Sequence, residues 1–209
     1  MKHPILHPGM NLGPHHGQAH YDAERVTFGF WVFLMSDLII FGLMFATYVT
    51  MANPTGLAGG PGPKDAYDLT NVYAQTMVLL VSSVTFGMAS LAMRFERGSG
   101  PITLWLCITL ALGLGFLTLE LLDFSNMVEA GAVPSRSGFW SSFWGLVPLH
   151  GLHVFVGCLW ISIMMIQMRI FGLAPVIKTR ILRLGLFWHF LDLIWIGIFT
   201  IVYLGALSS

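Results

Sequence analysis

Five long apolar stretches dominate the chain, at 28–51, 72–93, 102–122, 139–168 and 184–207. Each reaches the roughly 20 mostly apolar residues that a bilayer-crossing helix needs. In hydrocarbon the backbone must satisfy its own hydrogen bonds, so stretches of this kind fold as helices. Barrel strands would alternate apolar and polar residues over about ten positions, and these do not. The expected fold is all-α: a polytopic membrane bundle of five transmembrane helices over 28–207, after a flexible His-rich tail at 1–27. Composition closes off the other classes. Charged residues make up 10% of the 209, against roughly 25% in soluble domains, too few to cover a water-facing surface. A net charge of zero lacks the basic excess of a nucleic-acid binder. An apolar content of 56% excludes a disordered chain.

The connections carry turn residues. Asn53-Pro54 and Gly59-Gly60-Pro61-Gly62-Pro63 lie in 52–71, Gly131, Pro134 and Gly138 in 123–138, and Pro175 in 169–183, so these segments read as loops. Lysine and arginine set the orientation. Lys2, Arg25, Arg94, Arg97, Arg169, Lys178, Arg180 and Arg183 fall on one side, and only Lys64 and Arg136 on the other. Eight against two places the N-terminus in the cytoplasm and the C-terminus in the periplasm, which an odd number of spans requires. Trp31, Trp105 and Trp188 near the inner ends, and Tyr48, Tyr73, Trp140, Trp144 and Tyr203 towards the outer ends, read as interfacial belts. Cys107 and Cys158 lie inside apolar runs and read as small hydrophobes without a disulfide. The 27 polar residues at the start do not read as a signal peptide, because the following run is too long and holds Asp37. The tail's His3, His7, His15, His16 and His20 are a composition that can bind metal, but the plainer reading is a tail without a function of its own.

An ionisable group at membrane depth costs about 2.5–3.5 kcal/mol on insertion scales, so each one needs a reason. The chain has Asp37, Glu120, His150, His153, His189 and Asp192 at such positions. His150 and His153 are spaced i,i+3, as are His189 and Asp192, so each pair shares a helix face. A metal or haem site on the His150-Gly151-Leu152-His153 face is the sharp reading. It lacks the third ligand that a catalytic metal site usually needs, and the plainer reading is histidines bonding neighbouring helices. Asp37, His153 and Asp192 lie at similar depth, which leaves open one shared polar cluster, and Asp37, His153, His189 and Asp192 together leave open an ion or proton pathway. Ser83, Gly87 and Ser90, and likewise Ala111, Gly115 and Thr118, form small-residue stripes at helical spacing, read as helix-packing faces. No nucleophile–base pair, phosphate loop or complete ligand set is visible. The residues alone leave an accessory membrane subunit or a small transporter.

The polar landmarks resemble a known family. Residues 188–195, Trp-His-Phe-Leu-Asp-Leu-Ile-Trp, resemble the WHF-x-D-x-x-W signature in the last helix of subunit III of haem-copper terminal oxidases. His150-Gly-Leu-His153 followed by Gly157 resembles the family's H-G-x-H-x-x-x-G pattern. Ser36-Asp37 through Phe45 resembles its intramembrane-carboxylate helix, with Asp37 where Glu is common. Gly115-Phe116 to Glu120 and Phe124 resembles its G-x-x-F-x-x-x-E segment. Residues 58–65 and 82–89 look closest to the cytochrome o ubiquinol oxidase branch. Many members have seven helices, and this chain matches from the carboxylate helix onward. The resemblance implies a cofactor-free subunit that supports assembly and turnover stability and holds phospholipid. It sits in a bacterial cytoplasmic (inner) membrane with oxidase subunits I and II and a small subunit IV. Haems and copper lie in the catalytic partner, and ubiquinol is the substrate of the complex. A cytochrome c oxidase subunit III and an independent proton or ion transporter are the alternatives.

Overall fold

The protein is described by a computed structural model covering residues 16–59, 62, 67–95 and 98–205, with side chains from residue 24 onward. His3, His7 and His15 of the expected tail lie outside the described residues. The elements are α1 His16–Met51, a single turn α2 Pro54–Leu57, α3 Leu69–Arg94, α4 Ser99–Glu129, α5 Gly138–Phe171 and α6 Pro175–Ile198. Helix α6 runs straight into a π-helical segment, Phe199–Leu204. Among the described residues there is no strand. Five of these helices are long and apolar enough to cross a membrane: Glu24–Met51, Leu69–Arg94, Ser99–Glu129, Gly138–Phe171 and Pro175–Leu204.

The helices extend beyond the apolar runs. With 34 residues, α5 is about 51 Å long at 1.5 Å per residue, more than a hydrocarbon core of about 30 Å can cover. Helix α1 begins at His16, inside the segment read as a tail. Helix α4 continues to Glu129, inside the expected loop 123–138. The basic segment of 169–183 is helical from Pro175, and so carries Lys178, Arg180 and Arg183 on the first three turns of α6. Proline at the first helical position loses no hydrogen bond and has φ already set. It therefore starts this helix, where a loop was expected. Gly172, at φ 66°, ends α5 in a conformation that favours glycine. Asp68 caps α3 by accepting from the Thr70 and Asn71 amides, and Ser137 caps α5 by accepting from the Trp140 amide.

Helix α6 is the hub. It packs against α1, α3 and α5, and 56% of its most apolar stretch is buried, against 17% for α1. Small residues let its rings in. Trp188 lies between two glycines of different helices. A Cβ on Gly113 of α4 would fall 2.8 Å from the Trp188 ring and 2.8 Å from Cys158 Sγ, and one on Gly157 of α5 would fall 3.0 Å from the same ring. Phe86 of α3 similarly covers Gly185, where a Cβ would lie 2.8 Å away.

Two expectations need correction here. Trp188, Trp140, Tyr48 and Tyr203 are core residues and not belt anchors. The polar ends of Trp188 and Tyr48 are satisfied inside the bundle. The Trp188 indole N–H donates to Ser82 Oγ at 3.1 Å, and the Tyr48 hydroxyl donates to the Val202 carbonyl at 3.2 Å. Tyr73 and Trp31 are exposed, as belt residues would be. The small-residue stripes turn outward from this chain's own bundle instead of packing its helices together. Gly87, Ala111 and Thr118 are exposed, and a Cβ on Gly87 or Gly115 would meet nothing within 4 Å. The buried faces of α3 and α4 are instead Ser82, Thr85, Phe86 and Ala89, and Thr109, Gly113 and Phe116. Thr85 and Thr109 hydroxyls meet between them at 2.8 Å. Successive helix residues are about 100° apart, so a stripe of the right spacing displaced by one position faces another neighbour. Ser83, the first residue of its stripe, reaches another helix through a hydrogen bond to His189.

Candidate functional site

The intramembrane polar residues divide into separate groups. The two aspartates do not share a cluster: each takes its own histidine. Asp37 of α1 faces His153 of α5, with Oδ2 and Nε2 3.3 Å apart. Asp37 is 6% exposed. On the other side of the imidazole, Nδ1 lies 2.7 Å from the Leu149 carbonyl. A carbonyl only accepts, so Nδ1 carries a hydrogen. That leaves Nε2 facing the Asp37 carboxyl at ion-pair distance, with no hydrogen bond formed to Oδ2 among the described residues. Phe41, one turn along α1 from Asp37, sets its ring edge-on to His153 at 5.2 Å and to His150 at 6.4 Å, walling the pair with apolar surface.

His150 has a different environment. It is fully buried, stacked on Trp195 at 5.3 Å and edge-on to Phe116 at 5.9 Å. Neither ring nitrogen has a hydrogen-bond partner among the described residues. Trp195 is in turn fixed by donating from its indole N–H to Thr76 Oγ1 at 3.0 Å. Pro148, two residues before His150, lies inside α5 and removes one backbone hydrogen bond of that helix.

Glu120 of α4 is buried against the backbone of α5 at Gly151. A side chain on Gly151 would collide with the carboxyl group, whose Cδ and Oε1 lie 2.9 Å from the Cβ position. Asp123, one turn further along α4, is buried too, at 2% exposure. It lies just past the apolar run 102–122, so a span bounded by apolar residues excludes it. Its i,i+3 spacing from Glu120 was the available signal. Gln75 of α3 was also missed. It is buried, with neither amide atom bonded among the described residues.

The second pair lies between α3 and α6. His189 Nδ1 is 2.9 Å from Ser83 Oγ and 3.5 Å from Asp192 Oδ2. The His189 side chain is 49% exposed, whereas Asp192 is 7% exposed and no hydrogen-bond donor reaches either of its oxygens among the described residues. At the end of the bundle where α1 meets α2, the Tyr67 hydroxyl lies 3.3 Å from that of Tyr48. Tyr67 packs on Trp140, Phe143 and Tyr203. Burial pushes the Tyr67 hydroxyl well above the ordinary phenol range, and the Tyr48 hydroxyl beside it adds to that.

Among the described residues, no group of three or more His, Cys, Asp or Glu side chains could hold a metal ion. His150 and His153 both meet Phe41, but of the two only His153 has a hydrogen-bond partner among the described residues. This arrangement can tie helices together and hold protons on paired groups. Ser83 and His189 stand side by side, but the serine hydroxyl and the Asp192 carboxyl both face Nδ1, so the ring does not relay a proton from one to the other.

The sequence profile of the family described as "Cytochrome c oxidase subunit III" matches residues 7–206. The cytochrome bo(3) ubiquinol oxidase subunit 3 of Pseudomonas aeruginosa is 44% identical over 197 residues, covering 94% of this chain and 93% of the relative. The quinol oxidase subunit 3 of Bacillus subtilis is 43% identical over 182 residues, 87% of each chain. A cytochrome bo(3) ubiquinol oxidase subunit 3 from Buchnera aphidicola is 40% identical over 176 residues, 84% of this chain and 89% of the relative.

Proposed function

The chain belongs to the cytochrome c oxidase subunit III family, and on that premise we propose that it serves as the non-catalytic subunit III of a ubiquinol-oxidising haem-copper oxidase. The observation that carries this reading is the 44% identity over 94% of the chain to a subunit of that oxidase. The complex oxidises ubiquinol and reduces oxygen to water. Its haems and copper belong to the catalytic subunit. This chain's own polar residues serve structure, in two histidine–aspartate pairs and a buried Glu120 at a helix crossing. Its partners are oxidase subunits I and II and a small subunit IV. Phospholipid fills the exposed apolar helix faces, among them Phe33, Ile39 and Leu43 of α1. The complex sits in a bacterial inner membrane.

Purification through a tag on this chain, in mild detergent, tests the reading. We expect haem absorption bands, several co-purifying subunits, and oxygen consumption driven by quinol and not by reduced cytochrome c. Activity with cytochrome c would move the chain to the other oxidase branch. A chain that purifies alone without haem would favour the independent transporter.

We also propose that the N-terminus is cytoplasmic and the C-terminus periplasmic, with residues 1–27 as a cytoplasmic tail and the bundle at 28–207. Support comes from the eight-to-two division of Lys and Arg. The ends of α3 at Arg94 and α5 at Phe171, and the starts of α4 and α6, fall on the basic side of a five-span path. Reporter fusions after Ser209 and within 172–174 are expected to lie on opposite sides of the membrane. Signals from the same side would break the five-span count.

A further inference from the structure

Helix α6 has a polar group where a membrane protein should avoid one. His189 is the fifteenth of the thirty residues in the span Pro175–Leu204, at mid-depth, yet 49% of its side chain is exposed. Around it α6 exposes Leu193 and Ile196, and α3 exposes Val84, so the imidazole lies on an otherwise apolar surface. Its Nδ1 bonds Ser83. No described residue bonds Nε2. Asp192 lies beside it, nine-tenths buried, with both carboxyl oxygens lacking a donor and Oδ2 3.5 Å from the ring.

A second observation concerns the backbone beside this group. Ser83 begins the stripe Ser83, Gly87, Ser90, which turns outward from the bundle. Gly87 is exposed, and a Cβ there would meet nothing within 4 Å. An outward groove of small residues lets a second helix approach closely. Lipid is a poor cover for the site. Acyl chains offer no hydrogen bond, and a headgroup lies about 15 Å away, half of a hydrocarbon core of about 30 Å. A transmembrane helix can bring a polar side chain to mid-depth. The Ser83 hydroxyl can give or take the bond at Nδ1, so the tautomer decides whether Nε2 gives or takes. A side chain able to do both, an amide or a hydroxyl, is the complement.

We propose that the face built from Ser83, Gly87, His189 and Asp192 receives a transmembrane helix of another subunit of the same oxidase, carrying an amide or hydroxyl side chain opposite His189. This rests on the functional reading above and locates one of its contacts.

Gly87→Leu tests it in the whole complex. Leucine fills the groove, and its Cβ meets nothing inside this chain within 4 Å. The amount of the chain in the membrane is expected to stay unchanged, while the haem-bearing subunits retained on purification fall about tenfold, the scale of one lost interhelical contact. Full retention overturns the proposal, and so does a fall in the chain's own level. A photoreactive residue in place of Val84, at the rim, is expected to cross-link to another oxidase subunit. Adducts only with lipid, or only with a second copy of this chain, overturn it as well. An unsubstituted chain that retains no haem would instead sink the functional reading and this inference together. Haem retained equally by the unsubstituted chain and Gly87→Leu sinks this inference alone.

Discussion

Gly113→Ala is expected to destabilise the bundle by about 1–3 kcal/mol, the usual cost of overpacking a well-filled core, whereas Gly115→Ala leaves it almost unchanged. The two glycines lie two residues apart on α4 and differ only in what faces them. At Gly113 a methyl group would fall 2.8 Å from the Trp188 ring and 2.8 Å from Cys158 Sγ. Trp188 has little room to retreat. Its far side lies 3.0 Å from the Cβ position of Gly157, and its indole N–H is bonded to Ser82. At Gly115 the same methyl meets nothing within 4 Å. Alanine in place of glycine also favours a helix by roughly 1 kcal/mol, which at Gly115 is unopposed. Gly113→Val adds two further carbons and is expected to leave almost no assembled subunit. Membrane abundance and the thermal midpoint of the purified complex measure both. Equal tolerance at the two positions would show that Trp188 is not wedged between α4 and α5.

His153→Leu is expected to cost about 3–5 kcal/mol, because it strands the Asp37 carboxyl in an apolar wall. Asp37 is 6% exposed, and the His153 imidazole is the group that faces it. Phe41 occupies the adjoining space. Asp37→Asn keeps the size and a hydrogen-bonding group and removes the charge. It should cost about 1 kcal/mol, the scale of one hydrogen bond, and assemble normally. The pair's coupling appears in the double variant. Adding Asp37→Leu to His153→Leu removes the stranded carboxyl, so the double variant should be more stable than His153→Leu alone. The thermal midpoints of the four complexes give the coupling directly. Losses that simply add would mean that the two side chains do not depend on each other.

The spans were legible because twenty apolar residues in a row have few alternatives in water or lipid. Their ends were not, since helices run past the apolar zone into capped polar turns. Pro175 has the look of a loop residue and is a helix start, and Asp123 lies past the apolar run but inside a helix that continues to Glu129. The pair His189–Asp192 was legible through i,i+3 spacing. The pair Asp37–His153 was not, because it joins helices far apart in sequence, and depth alone suggested one cluster where there are two pairs. Facing was the weakest inference. Ser82 and Ser83 are neighbours of the same chemistry, yet one holds Trp188 and the other His189. Only the contacts across helices separate them. Tryptophans at span ends read as belt residues. The glycines opposite Trp188, on two other helices, are what make it a core residue.

The central claim is that this chain supports an oxidase without taking part in its electron transfer. The most direct measurement is oxygen consumption by the complex prepared with and without this chain, matched for haem content and followed over many turnovers. The account predicts that the complex lacking the chain starts at a rate close to that of the intact complex and then loses activity faster. An immediate collapse of electron transfer, with haems and the remaining subunits all present, would contradict it.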